Sequence, residues 1–443
     1  MRYSINETHN PDLISWVESA NDAATDFPIQ NLPFGVFRRQ SDSQPTVGIA
    51  IGDMILDVAA AHAAGFYSGL AAEAAVSCKN DSLNPLMALG ATHWSALRAQ
   101  TSALLQKEIE LGQAAQKKAR TLLVAMREAE MLLPVKIGDF TDFLTSIYHA
   151  TNAGQIFEPD RPLGRNFEYL PRAYHGRSST IIVSGTPIQR PKGQIVTAPD
   201  APPRYEPSRA FDYELEVGFY IGQSNNWGEP IAVADAEDHL FGLCLVNDWS
   251  ARDIQGWEMQ PLGPFLSKST ASTVSPWVIS LEALAPFRRP AFTRAEDAPA
   301  LLPHLYDAHN QAQGALDLNL EIHYSTENMR QAELAPALIC QSSMKYLYWT
   351  PAQMIAHHTS NGCQMNIGDM FASGTVSGPT NDERGCMLEL SWGCTQPYEL
   401  PSGEKRCYVE DGDEIVLTGF CQRDGYRRIG LGECRSLIVP NHS

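Results

Sequence analysis

The chain has 443 residues and a mass of 48.7 kDa, enough for two domains or one large domain with an appendage. With 33 Lys plus Arg against 51 Asp plus Glu, its formal net charge is -18 and its sequence pI is near 5.1, which disfavours nucleic acid or an anionic membrane surface as a partner. Nine cysteines with no CxxC pair, an N-terminus without an apolar leader and no apolar run near the roughly 18 residues of a membrane span read as a cytoplasmic chain of reduced thiols, with neither disulfide nor zinc site.

In chain order, residues 31–61 read as short strands, NLPFGVFRR and TVGIAIGDMILD, turned by Gly48, Gly52 and Asp53. From Pro85 to Leu132 the spacing predicts helix, with Leu104, Leu105, Ile109, Leu111, Leu122, Leu123 and Met126 on a roughly 3.6-residue rhythm that Pro134 ends. The domain boundary therefore falls between 1–132 and 133–443. Beyond it, runs such as TIIVSGTPIQR, HLFGLCLVND, DEIVLTGFC and RSLIVP give a large β-rich domain, so the fold class is mainly β with some α. One helix stands out there: Thr350, Pro351 and Gln353 form a capped start and Asn361-Gly362 a stop. DGDEIVLTGF, from Asp411, reads as a hairpin turn into a strand rather than a calcium loop.

The stretch FDYELEVGFYIG, from Phe211, carries the most chemistry. Read as one strand, it projects Asp212, Glu214 and Glu216 from one face and Phe211, Tyr213, Leu215, Val217 and Phe219 from the other. Glu214 and Glu216 offer two oxygens to a hard divalent cation, and Asp142 and Asp248, at apparent segment ends, offer two more. A solvated edge strand also explains the ExE motif, and on the motif alone it is favoured by about two to one. His149, seven residues after Asp142, is a candidate base beside such a site, or a structural histidine. His357 and His358 are assigned to structure. Nucleophile-elbow, phosphate-loop and dinucleotide motifs are all missing.

The strings DFTDF (139–143), HATN (149–152), YHGRSS (174–179), SGTPI (184–188), DYELE (212–216), NDWSARDIQ (247–255), PLGPFLSKS (261–269), ASGTVSG (372–378) and MLELSW (387–392) resemble, in order, the fumarylacetoacetase family. NLPFGVF and VGIAIGDMILD resemble its N-terminal domain. The resemblance implies a small SH3-like N-terminal domain before a β-rich catalytic domain, usually a homodimer, that hydrolyses a carbon-carbon bond in a β-diketo acid of aromatic amino acid catabolism. It implies Mg²⁺ or Ca²⁺ on Asp142, Glu214, Glu216 and Asp248, with Lys268 and Ser272 at a nearby secondary cation site; Ser272 replaces a threonine and keeps the hydroxyl. His149 matches the catalytic base and Glu389, expected on a strand, its carboxylate partner. Arg252, Gln255 and Lys268 match groups around a developing oxyanion, and Tyr174 and Thr375 match substrate contacts.

At the far end of the substrate the family has two tyrosines and an arginine, where this chain has Leu144, Met259 and Glu158; Ala271 replaces a glycine. A distal carboxylate is poorly matched by those side chains, so the expected substrate has an apolar or uncharged acyl end. A metal-dependent decarboxylase or tautomerase of the same superfamily, and a non-catalytic metal-binding homologue, are the alternative readings.

Overall fold

The computed structural model describes residues 4–39, 44–198 and 200–441. Near the N-terminus, five antiparallel strands form one sheet in the order Leu123–Ala125, Met54–Asp57, Thr46–Ile51, Phe34–Arg39, Ala129–Leu132. The strands expected near 31–61 are present as far as Asp57, but Gly48, expected at a turn, lies inside Thr46–Ile51 because it is paired on both sides in the ladder, and Val58–Ala63 is helical with Asp57 as its cap. The long helix expected over 85–132 is not present: Ala91–Leu105 is helical, but the chain then breaks into Glu110–Gln116 and Ala119–Leu122 and ends in two strands. Those last residues have helix-forming side chains, yet both edges of the sheet need backbone partners, and pairing of 123–125 with 54–56 and of 129–132 with 36–39 overrides local propensity.

The larger part holds an eight-stranded mixed sheet. Its path runs Arg172–Gly176, Phe140–Leu144, Met370–Ala372, Leu215–Ile221, Leu240–Asp248, Ser272–Val274, Ile181–Val183, with Ile279–Ser280 also on Leu240–Asp248. A five-stranded sheet that includes Leu318–Ser325, Glu414–Cys421 and Ile429–Val439 packs against it, and their facing side chains belong to one core. The architecture is mainly β with some α, an N-terminal domain followed by a large β-rich one. Among the described residues no helix is long and apolar enough to cross a membrane.

Three local expectations change. FDYELEVGFYIG is two strands: Phe211–Asp212 pairs with Ser250–Ala251, and Leu215–Ile221 pairs with Leu240–Asp248. Every residue from Phe211 to Ile221 is buried, so it is no solvated edge, and the break turns Asp212 away from the glutamates towards Arg252. Glu389 lies on a helical turn, Met387–Leu390, rather than a strand, because the Asp212 carboxylate accepts hydrogen bonds from the backbone N of Met387 at 2.8 Å and Leu388 at 3.0 Å and so holds the start of the turn. Cys394 and Cys407 form a disulfide, contrary to a chain of reduced thiols; the short hairpin of Tyr398–Glu399 with Lys405–Arg406 brings their Cα atoms to 4.7 Å.

The capped helix is as expected. Pro351–Thr359 starts with Thr350 Oγ accepting from Gln353 N at 3.2 Å and Gln353 Oε1 accepting from Thr350 N at 3.0 Å. His358 Nε2 meets Thr141 Oγ at 3.0 Å and stacks on Phe371, a packing role.

Candidate active site

Three strands of the mixed sheet bring the acidic residues together. Asp142 sits within Phe140–Leu144 rather than in a loop, Glu214 and Glu216 flank the start of Leu215–Ile221, and Asp248 ends Leu240–Asp248. Carboxylate oxygens from these four side chains lie within 4.8 Å of one another, and all four residues are buried. Like charges this close, out of water, cannot all ionise unaided. Two cations respond. Lys268 Nζ donates to Glu214 Oε2 and, at 3.1 Å, to Asp248 Oδ2, while Arg252 Nη1 lies 2.7 Å from Glu214 Oε1. Asp248 also accepts from Tyr174 OH at 2.8 Å and Ser272 Oγ at 2.6 Å.

The two sides of the cluster therefore differ. Burial pushes the Glu214 carboxyl up, but Lys268 and Arg252 outweigh it and hold it well below the usual range. Asp142 and Glu216 have no such partner: burial, and then the charge of neighbouring carboxylates, push both well above it. Among the described residues, Asp142 Oδ1 and both Glu216 oxygens are buried with no donor group bonded to them. Carboxylate oxygens left without partners and gathered within 4.8 Å of one another are what a hard divalent cation takes on displacing their protons, so the residues fit a metal ion with all-oxygen ligation.

Next to the cluster lies an acid-base pair. His149 is on the helix Ile147–Phe157, whose cap Ser146 accepts from His149 N, and Nδ1 of His149 donates to Glu389 Oε2 at 2.7 Å. Glu389 is fully buried and accepts three further bonds, from Asn152 Nδ2 at 2.8 Å, Ser377 Oγ at 2.8 Å and Cys386 Sγ at 3.1 Å. Burial raises its carboxyl, but the His149 charge and these donors bring it down to about 2, so Glu389 is an anion at neutral pH. A backbone bridge between Glu214 and Cys386 ties the pair to the carboxylates.

A family model described as fumarylacetoacetate (FAA) hydrolase C-terminal matches residues 140–439, and fumarylacetoacetase N-terminal matches residues 30–134. The chain belongs to the fumarylacetoacetase family. It is similar to the fumarylacetoacetase of Bos taurus, 44% identical over 436 residues that cover 96% of this chain and 99% of the relative. The Homo sapiens fumarylacetoacetase is 43% identical over 433 residues, covering 96% and 99%, and that of Caenorhabditis elegans 45% over 422 residues, covering 94% and 97%. Among solved structures, a fumarylacetoacetate hydrolase from psychrophilic Exiguobacterium antarcticum aligns with TM-score 0.49 and 15% identity over 93% of this chain and 100% of that one. Within this family the chain is a metal-dependent hydrolase acting on carbon-carbon bonds.

Arg252, which pairs with Glu214, joins Gln255 to this centre. Arg252 Nε donates to Asp212 at 2.9 Å, and Gln255 Oε1, one helical turn on, accepts from Arg252 Nη1 at 3.3 Å. Thr375 follows the strand Met370–Ala372, and among the described residues its buried hydroxyl has no hydrogen-bond partner. The distal residues are less gathered: Leu144 packs beside Phe167 and Trp349, Glu158 is exposed just past the helix Ile147–Phe157, and Met259 is 40% exposed.

Sequence reading missed the residues that hold the functional ones. Asp212, grouped with the glutamates, instead fixes Arg252 and the Glu389 turn; Asn152 was visible in HATN, but nothing in the sequence signals that Ser377 and Cys386 reach Glu389.

Proposed function

We propose that the enzyme hydrolyses a β-diketo acid, fumarylacetoacetate to fumarate and acetoacetate or a related acylpyruvate or acylacetoacetate, in aromatic amino acid catabolism. The observation that carries this reading is a His149–Glu389 pair set beside four buried carboxylates with orphaned oxygens. Asp142, Glu214, Glu216 and Asp248 would hold Mg²⁺ or Ca²⁺, and bound there the ion would supply Lewis-acid polarisation of substrate oxygens and charge neutralisation. Lys268 and Ser272, both on Asp248, would sit at the adjoining secondary cation site.

His149 is oriented to act as a base. With Nδ1–H donated to the Glu389 anion, Nε2 carries the free lone pair and takes a proton from water as hydroxide adds to the carbonyl carbon. Glu389 stabilises the imidazolium that results. Arg252, Gln255 and Lys268 donate to the oxygen on which charge develops, and Tyr174 and Thr375 position the substrate. The carbon-carbon bond then breaks with its electron pair on the leaving carbon, and His149 returns its proton there. Decarboxylation or tautomerisation needs no such water-activating pair.

His149→Ala is expected to abolish turnover of fumarylacetoacetate, followed by loss of enol absorbance, while Mg²⁺ binding by calorimetry stays near wild type. Wild-type turnover in the variant would overturn the assignment. We also propose a domain division at 132/133, an SH3-like N-terminal domain, a cytoplasmic location and a homodimer, for which light scattering should give twice the chain mass.

A further inference from the structure

The strand beside Asp142 carries a cation, Arg172, that the chemistry above does not use. In the antiparallel pairing of Phe140–Leu144 with Arg172–Gly176, Arg172 stands opposite Leu144 as Tyr174 stands opposite Asp142. Alternate residues share a face, so Arg172 and Leu144 extend the face of Asp142 and Tyr174 by about 6.6 to 6.8 Å. Its guanidinium is seated but not neutralised. The carbon lies 5.5 Å from the centre of the Phe167 ring, Nη2 makes only a long 3.4 Å bond to the Leu163 carbonyl, and a Cβ on Gly164 would meet Nη1 at 2.9 Å. Nε is buried with no partner, and among the described residues no carboxylate pairs with the group. Burial makes this cation hold its proton less tightly, with Glu158 opposing from a distance.

A buried, unmet donor costs free energy, and a guanidinium fork fits a carboxylate through two parallel bonds. We propose that Arg172 is a specificity residue that binds a carboxylate on the acyl end of the substrate, an inference that rests on the hydrolase reading above. The cation that the family resemblance puts at position 158 is supplied here from the neighbouring strand, while Leu144 borders the apolar part of the acyl chain. The changes at Leu144, Met259 and Glu158 then do not select an uncharged acyl group.

Two β-diketo acids that differ only at the acyl terminus, carboxylate against carboxamide, test this, because the shared diketo group fixes their orientation. Binding is measured by calorimetry on His149→Ala protein with Mg²⁺, where the probes persist, and kcat/KM on protein with His149 intact. Arg172→Gln should weaken binding and lower kcat/KM for the carboxylate by about 10-fold to 100-fold while the carboxamide changes by less than about 2-fold, and Arg172→Lys should fall between. Equal losses for both probes, or no preference for the carboxylate in protein that keeps Arg172, would overturn the proposal. Failure of the hydrolase reading looks different: neither probe is turned over, and the binding ratio still decides the role of Arg172.

Discussion

Replacing Glu389 by Gln isolates the contribution of one negative charge. The carboxylate accepts from His149 Nδ1, Ser377 Oγ and Cys386 Sγ on Oε2 and from Asn152 Nδ2 on Oε1. In the variant the amide oxygen can take the Oε2 place and keep three donors, and the Asn152 amide can turn over to accept from the new NH₂. Packing and hydrogen bonding survive, and the counter-charge to the imidazolium is lost. A hydrogen bond to a charged partner contributes about 1.5 to 3 kcal/mol and a neutral one about 0.5 to 1.5 kcal/mol, so the imidazolium loses about 1 to 2 kcal/mol. That corresponds to a kcat lower by about 5-fold to 30-fold. Removing the base itself, in His149→Ala, should cost far more and leave no turnover above background, since general-base catalysis alone contributes about 100-fold to 10,000-fold. The assay is steady-state loss of enol absorbance at saturating Mg²⁺, with KM expected within about 2-fold of wild type because Glu389 is fully buried and bonded to His149 rather than to substrate. Unchanged kcat in Glu389→Gln, or a rise in KM with kcat intact, would refute a role for the charge.

Two further outcomes follow from the electrostatics and the disulfide. Asp142 and Glu216 have carboxyls raised above the usual range, so the metal-free protein retains protons there that the unfolded chain releases near pH 4; its stability should fall as pH rises from about 4 through the raised values. Mg²⁺ displaces those protons, so its affinity should increase with pH, and at 100 times Kd it should add about 2.7 kcal/mol; thermal melts with and without chelator across pH check this, and a pH-independent difference would count against the cluster as the binding site. Cys394→Ser with Cys407→Ser opens a link of sequence separation 13 and should lower stability by about 2 to 3 kcal/mol, seen as an earlier urea midpoint. Coincident curves for variant and wild type would show that the bridge adds no stability.

Much of the site could be read from sequence because its parts are short, local and chemically specific. The Thr350 capping box and the apolar run before Asp248 each follow from neighbouring residues alone. The strands at 123–125 and 129–132 could not be read that way, since their helix-forming side chains are overruled by partners some 70 to 95 residues away. The same holds for Asp212. Period-2 alternation puts it beside Glu214 and Glu216, yet the strand breaks between Phe211–Asp212 and Leu215–Ile221, and its charge goes to Arg252 and to two backbone amides 175 and 176 residues distant.

By itself the sequence determined the residue types, the β-rich class, the family and the hydrolytic chemistry, because long matching strings and capping signals are properties of consecutive residues. Only the tertiary structure decided which charges share a space. Lys268 and Arg252 fall to Glu214 and leave Asp142 and Glu216 without a cation, Ser377 and Cys386 close around Glu389, and Arg172 stands on the face of Tyr174 with no carboxylate partner among the described residues. Those outcomes depend on strand order, register and burial, and the energy of a charge depends on the dielectric and the partners that folding places around it.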